Sequence, residues 1–308
     1  MCPQCSSRAT KKYGTQSGRQ RYRCNECGHV FQSKQHPTRR TRALLDAYVW
    51  GRQTIGQIAE EIGKSHVWVQ KQLDAARSTP HTLTPQPTVI AADVTFWGRA
   101  YGVIVFRSPT LKRNLWWKEV TFETPWAYKE GLAHLLREGW TITGAVIDGK
   151  RGVGQVFEHM GIPVQYCQFH QMKTVTKYLT RKPKTEAARE LRSLTLTLSR
   201  TDEETFRTQL ALWYERHESF LNERSPAPHT KRGWVYTHRR VRAAYRSLTT
   251  NLCRLFTYQR YPELNMPNTT NCLDGMFSQI KNRLAVHRGL RCDRRYKLIS
   301  EILKGRRK

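Results

Sequence analysis

The chain has 308 residues, with 53 Lys and Arg against 24 Asp and Glu, giving a formal net charge of +29. Its length suits two domains, or three if one is small, and a 38% hydrophobic fraction with nine Trp excludes a disordered chain. A charge of this size repels itself unless a polyanion neutralises it, so nucleic acid is the expected partner.

A basic membrane-surface protein would need an apolar stripe or an anchor, and the sequence carries neither. Apolar runs such as residues 101–106 are too short to cross a bilayer. The first residues lack the apolar stretch of a signal peptide, so the expected location is the cytoplasm, in association with the nucleoid. In that compartment the eight Cys are expected to be metal ligands or buried thiols rather than disulfides. Charge is unevenly spread. Residues 1–42 hold ten Lys and Arg with one acid, residues 280–308 hold eleven with two, and residues 88–170 hold nine with seven. The pattern is a near-neutral core between two basic arms.

The first element is a pair of CxxC turns, Cys2/Cys5 and Cys24/Cys27. Each turn presents two thiolates, and together they satisfy one tetrahedral Zn²⁺. Residues 14–23 between them read as a hairpin turning at Gly18, and Gly28-His29-Val30-Phe31 follows the second turn in the habit of a zinc ribbon. The expected ribbon spans 1–36 and needs its metal to fold. A helical module is expected over 37–77. Thr54 and Gln57 form a capping box, Ile55, Ile58, Ala59 and Ile62 line one face, and Gly63 stops the helix. Ser65 caps a second helix carrying Val69, Leu73 and Ala76. Two short helices joined through a glycine make a helix-turn-helix, whose second helix offers His66, Gln70, Lys71 and Arg77 to a DNA groove. Gly63-Lys64-Ser65 imitates the end of a phosphate-binding loop, but that loop needs Gly where Ile58 stands. Residues 78–88, with three prolines and no charge, read as a linker.

Strands follow at 89–97, 101–106 and 115–122. A helix starts at Thr124-Pro125 with Leu132, Leu135 and Leu136 and ends at Gly139. A fourth strand at 142–148, a helix at 152–160 and a fifth strand at 164–167 complete a βββαβαβ order. Asp93 lies inside the first strand among apolar neighbours, and Asp148 ends the fourth. This order sets those two strands side by side, and Mg²⁺ is the expected partner for two such carboxylates. Beyond them, 174–266 reads as a helical insertion. Thr201 to Glu204 forms a capping box opening a helix with Phe206, Leu210, Trp213 and Phe220 on one face, broken at 226–228. Residues 231–254 carry seven basic residues and no acid. Arg239, Arg240 and Arg242 are its candidate DNA contacts, with Trp234, Tyr236 and Tyr245 interleaved for stacking on bases. Leu273, Phe277, Ile280 and Leu284 form the buried stripe of a later helix that Asn271 caps, with Asp274 at its margin. Cys253, Cys272 and Cys292 stand singly and read as buried thiols, Glu263 as a rival to Asp274 that follows Pro262 in a loop, and Glu301 as part of a solvated terminal helix.

The βββαβαβ order with its two aspartates resembles the RNase H-like core of DDE transposases. Tyr166-Cys167-Gln168-Phe169-His170 resembles the C-x-x-H motif that follows the second acid in Mutator-like elements and their bacterial insertion-sequence relatives. Residues 268–277, Asn-Thr-Thr-Asn-Cys-Leu-Asp-Gly-Met-Phe, followed by Lys281 and the His-Arg-Gly-Leu of 287–290, are similar to the helix bearing their third acid. The ribbon and helix-turn-helix match the zinc-binding branch of those transposases. The resemblance spans essentially the whole chain. It implies an α/β, RNase H-like mixed five-stranded sheet over 89–308, with the triad Asp93, Asp148 and Asp274 holding two Mg²⁺ or Mn²⁺ ions. Cys167 and His170 would lie near that site, and Lys281 and Arg288 would contact DNA. The implied activity is metal-dependent cleavage and strand transfer on double-stranded DNA, both element ends and target, by a homo-oligomer. A domesticated, binding-only relative is the alternative, because Asp274 stands where the family has Glu. The shorter side chain asks its helix to approach by about one further bond length, ~1.5 Å. A tyrosine recombinase is excluded at His287, whose H-x-x-R pattern fails at Leu290.

Overall fold

The computed structural model describes residues 1–16, 19–32, 37–76, 81–287 and 289–305. The expected turn at Gly18, the candidate DNA contacts Arg77 and Arg288, and the start of the linker lie outside the described residues. The chain divides into two compact units, Met1–Thr79 with Val286–Leu290, and Pro80–Ala285 with Arg291–Lys308.

In the first unit, β1 (Thr10–Gln16), β2 (Arg19–Cys24) and β3 (Val30–Gln32) form an antiparallel sheet in sequence order. The two CxxC turns are built alike. Cys2 N–H donates to Ser7 O at 2.7 Å and Cys24 N–H to His29 O at 2.9 Å. The residue after each pair is left-handed, Ser6 at φ 58° and Gly28 at φ 71°. Three helices follow: α1 (Pro37–Val49), α2 (Ile55–Ile62) and α3 (His66–Ala75). Both halves of the Thr54–Gln57 capping box are present, and Gly63 closes α2 at φ 64°, where a Cβ would be strained. Ser65 Oγ accepts from Trp68 N to start α3. Ile58, Ala59, Val69 and Leu73 are buried where the helices meet. His287, from the segment that joins this unit, packs on Tyr48 with ring centroids 4.0 Å apart.

The second unit is mixed α/β. Its sheet comprises β4 (Thr88–Phe96), β5 (Gly102–Ser108), β6 (Arg113–Val120), β7 (Ile142–Ile147) and β8 (Val164–Tyr166), with α4 (Pro125–Arg137) and α5 (Val153–Glu158) in the connections. The spatial order is β6-β5-β4-β7-β8, antiparallel from β6 to β4 and parallel from β4 to β8. Strand ends differ from expectation by a residue or two. The second half of the expected linker is fastened down: His81 Nε2 lies 2.7 Å from Asn114 O, and its ring meets Trp117 edge-on. Period-two alternation sorts β4. Ile90 and Ala92 face the large core with Ile104, Phe106, Tyr128, Leu132 and Phe157, while Asp93 belongs to the opposite face. Gly131 of α4 lets that helix close on Phe106 and Trp116, both of which a Cβ there would strike.

The insertion begins at α6 (Gln168–Leu179), earlier than the expected 174, so His170 sits on its first helix. It continues through α7 (Glu186–Thr195), α8 (Glu203–Asn222), the hairpin β9 (Arg224–Pro226) with β10 (Trp234–Tyr236), α9 (Arg239–Leu255) and α10 (Thr257–Arg260). Asp202, not Thr201, caps α8: its Oδ1 accepts from Thr205 N at 2.8 Å. A carboxylate at a helix start is the stronger cap because it also meets the dipole. The break expected at 226–228 is the hairpin, which sequence reading missed. Two helices close the unit, α11 (Asn271–Leu284) and α12 (Cys292–Lys304). Asn271 is the first residue of α11 rather than its cap, and Thr270 occupies the cap position.

Two further expectations are corrected. Glu301 is not solvated: it is 3% exposed and takes Lys304 Nζ at 3.1 Å, because α12 lies on β6 through Trp117–Ser300 and Asn114–Leu303 hydrogen bonds. Nor are the single thiols buried, since Cys253 and Cys292 are exposed and Cys272 is half-buried. No helix among the described residues is long and apolar enough to cross a membrane.

Candidate metal centre

The sheet register places the first two acids. β4 and β7 pair at Val89–Gly144, Ile90–Ala145 and Ala91–Val146, and carrying that offset two residues further sets Asp93 level with Asp148. Asp93 is 8% exposed, and its Oδ1 accepts the Val94 N–H at 2.7 Å. Burial and then the charge of Asp148 push its carboxyl up to about 7. Asp148 is likewise raised, to about 6, by burial and by the charge of Glu123. Two carboxylates that resist ionisation side by side mark a place built to receive positive charge.

Asp274 comes to the same place. Ligand atoms of Asp93, His170 and Asp274 all lie within 4.8 Å of one another. α11 packs against β4 and buries Leu273, Phe277 and Ile280, and that packing brings the short side chain of Asp274 to this group. Asp274 Oδ2 is buried and has no hydrogen-bond partner among the described residues. An orphaned carboxylate oxygen beside a second buried carboxylate is costly in a protein interior, and a hard cation is the ligand that such oxygens suit. Asp148 stands outside this closest group. It acts on Asp93 through charge, and its Oδ1 accepts from Lys150 N at 3.2 Å.

The Cys167–His170 pair ties down the start of α11. Cys167 Sγ accepts from Thr270 N at 3.3 Å and from Thr270 Oγ1 at 3.4 Å, while His170 Nδ1 lies 3.4 Å from the same hydroxyl. Gln168 N–H donates to Asn268 O at 3.0 Å, and the Asn268 amide returns a 3.0 Å bond to Gln168 Oε1. Thr270 O in turn accepts from Leu273 N and Asp274 N in the first turn of α11. The helix that starts after β8 and the helix that carries Asp274 are thus joined at their first turns. Burial pushes the Cys167 thiol up, but hydrogen bonds from His170 and Thr270 outweigh it and bring the thiol below its usual value. His170 is raised to about 9 by its bond to Cys167 and by the surrounding carboxylates. Its imidazolium is a positive charge set among acids.

Sequence reading missed Glu123. It follows β6, accepts from Tyr128 Oη at 2.8 Å and Lys150 Nζ at 3.0 Å, and faces Asp148 across a cleft of about 460 Å³. The available signal was an acid directly before the Thr124 cap of α4. Glu263, by contrast, is exposed on a short 3₁₀ turn.

Cys2, Cys5, Cys24 and Cys27 form a second cluster, with all four sulfurs within 4.8 Å and the Cys2–Cys27 and Cys5–Cys24 separations both 3.5 Å. Four thiolates at ~2.3 Å from one centre lie about 3.8 Å apart, so the cluster has the dimensions of a tetrahedral metal site. Among the candidate DNA contacts, His66 and Lys71 are exposed on α3 and Gln70 is half-buried. Arg239 is exposed. Arg240 and Arg242 spend hydrogen bonds inside the protein, on Lys177 O and on Leu221 O with Asn222 Oδ1, and Arg242 stacks over Tyr236 at 3.5 Å. Lys281 is exposed, with its ammonium 5.9 Å from the Trp97 ring. No protein-family model matches the chain, and no curated protein matches it.

Proposed function

We propose that the chain is a DNA transposase with an RNase H-like core, which binds the ends of its element and cuts and joins DNA strands by metal-dependent phosphoryl transfer. The observation that carries this reading is the convergence of Asp93, from the first strand of the sheet, with Asp274, from a helix far along the chain, while Asp148 lies close enough to raise the Asp93 carboxyl. The 3-2-1-4-5 strand order, which sets the two acid-bearing strands β4 and β7 side by side in the middle of the sheet, supports it as well. So does the charge of +29, which suits a polyanionic substrate.

Asp93 and Asp274, with Asp148 beside them, are the groups that would hold Mg²⁺ or Mn²⁺; the orphaned Asp274 Oδ2 and the neighbouring carboxylates suit hard cations, with the His170 imidazole nitrogen in the same group. In such sites the ions activate the attacking hydroxyl and stabilise the leaving 3′-oxygen. The chain's own contribution is to hold these acids close in a half-buried pocket, where both must lose their protons before a cation binds. His170, bonded to Cys167, adds positive charge where a scissile phosphate would come to rest. In the first unit, the four-cysteine cluster reads as a zinc ribbon and α2–α3 as a helix-turn-helix, and together they would recognise element ends.

The test is Mg²⁺-dependent cleavage of cognate end DNA by purified protein. Asp93→Ala and Asp148→Ala should each lower cleavage by roughly 10³-fold or more, the scale for losing one preorganised charged group, with end binding unchanged. Cleavage that survives either change refutes the assignment. If neither the native chain nor Asp274→Glu cuts, the protein binds DNA without catalysis.

A further inference from the structure

Beyond the metal centre, the cleft at Asp148 does not end. Its walls, which include Lys150, Lys173, Lys177 and Ser247, adjoin a second cleft of about 680 Å³ that includes Arg151, Tyr178, Arg246 and Arg254. The two share Gly149, Tyr166, Ser247 and Asn251, so together they make one groove between the 149–152 turn, α6 and α9.

Three features define what this groove accepts. The first is charge. The acids along it, Glu123 and Asp148, both stand at its metal-centre end. Lys150 and Arg254 are paired, with Glu123 and Glu158 respectively. Arg151, Lys173, Lys177 and Arg246 are exposed and have no carboxylate partner among the described residues. Lys173 also sits over the Phe169 ring at 4.2 Å, and four groove cations without an acid partner suit the phosphates of a nucleic-acid strand.

The second feature is the floor. Gly149 lies against Tyr166, where a Cβ would come within 3.0 Å of the ring. The remaining lining offers neutral donors and acceptors from Gln171, Thr174, Ser247, Thr250 and Asn251. Asn251 and Gln171 are bonded to each other at 2.9 Å, and Gln171 to Ser247 at 3.0 Å, so the floor is preorganised. The third feature is size. The scale is that of small-ligand pockets, about 300–1,000 Å³ for each compartment, enough for roughly one or two nucleotides of a strand in each. Tyr178, half-buried in the lining of the second cleft, gives a base a ring to stack on.

We propose that this groove binds a single DNA strand leaving the metal centre, with its phosphates on Lys173, Lys177, Arg151 and Arg246. The proposal rests on the reading of the Asp93–Asp274 centre as a DNA-cutting site, and it adds a path for the strand past that site.

The experiment uses the full-length chain and fluorescence anisotropy with labelled oligothymidylate of about 16 nucleotides, alongside a duplex of the same length. Lys177→Glu/Arg246→Glu is compared with the charge-matched pair Lys129→Glu/Arg137→Glu on α4. Lys177→Ala/Arg246→Ala and the thermal midpoint of each variant control for folding. The expected result is that the groove pairs weaken strand binding at least tenfold more than the α4 pair does. Losing two phosphate contacts should also lower the slope of log affinity against log salt by about 1.4, with duplex binding shifted no more than in the α4 pair. Equal losses in both pairs, or a parallel loss for duplex, overturn the groove. If groove variants lose strand binding while the native chain never cuts DNA, the groove stands and the transposase reading falls. If they keep full cleavage and strand binding, the groove falls alone.

Discussion

Asp93 and Asp148 both resist ionisation, Asp93 through burial and the charge of Asp148, and Asp148 through burial and the charge of Glu123. A carboxyl raised in the folded state binds its proton more tightly there than when unfolded. The folded state is therefore favoured at low pH, and that advantage is lost as pH rises from the unfolded value near 4 through the folded values of about 6 and about 7. Chelated protein should lose stability between pH 4 and 7, and Asp93→Asn should flatten the slope. Millimolar Mg²⁺ at pH 8 should restore the thermal midpoint, since a ligand of the folded state alone stabilises it. A midpoint independent of both pH and Mg²⁺ would contradict the account. Thr270 yields a second prediction at this scale. Its backbone and hydroxyl tie Cys167 and His170 to the first turn of α11. Thr270→Val should lower the turnover of strand cleavage roughly tenfold and weaken Mn²⁺ binding with DNA affinity unchanged, about the worth of one buried hydrogen bond to a charged group. Thr270→Ser should retain both. A loss of DNA affinity with normal Mn²⁺ binding would sink the idea.

Among the elements, the ones most legible in the sequence were those with local punctuation. The Thr54 capping box, Gly63 and the Ser65 cap fixed α2 and α3 from adjacent residues. Period two placed β4, and the Val-Ile-Asp-Gly end placed Asp148. What was not legible depends on partners distant in sequence. Glu301 looks like any charged residue of a terminal helix, and only the seating of α12 on β6 buries it. The β9–β10 hairpin is two three-residue strands, too short for an alternation to register. The Thr270 bonds to Cys167 and His170 join positions about a hundred residues apart, which spacing alone cannot suggest. The four-cysteine element gives its own prediction. A sheet of 7-, 6- and 3-residue strands buries little apolar surface, with Cys2 and Cys24 its buried core positions. Removing the metal with a strong chelator should abolish amide protection across 1–32 and leave the five-stranded sheet protected. Hydrogen exchange reads this directly, and unchanged protection of 1–32 would show that the four thiolates are not its fastening.

At the level of the whole molecule, a near-neutral sheet carries the acids while basic residues crowd the two arms and the insertion. That separation would let one chain attract a polyanion such as DNA without flooding its carboxylates with permanent countercharge; His170 and Lys150 are cations brought close to them. The charge also predicts that affinity for DNA falls steeply with salt. Whether the acids do what their convergence suggests is decided by locating the ion itself. Anomalous diffraction from crystals of the protein grown with Mn²⁺ should give a peak bonded to Asp93 and Asp274, with Asp148 turned toward it. Crystals that diffract well and carry no manganese there, or an Asp274 directed away from Asp93, would contradict the account.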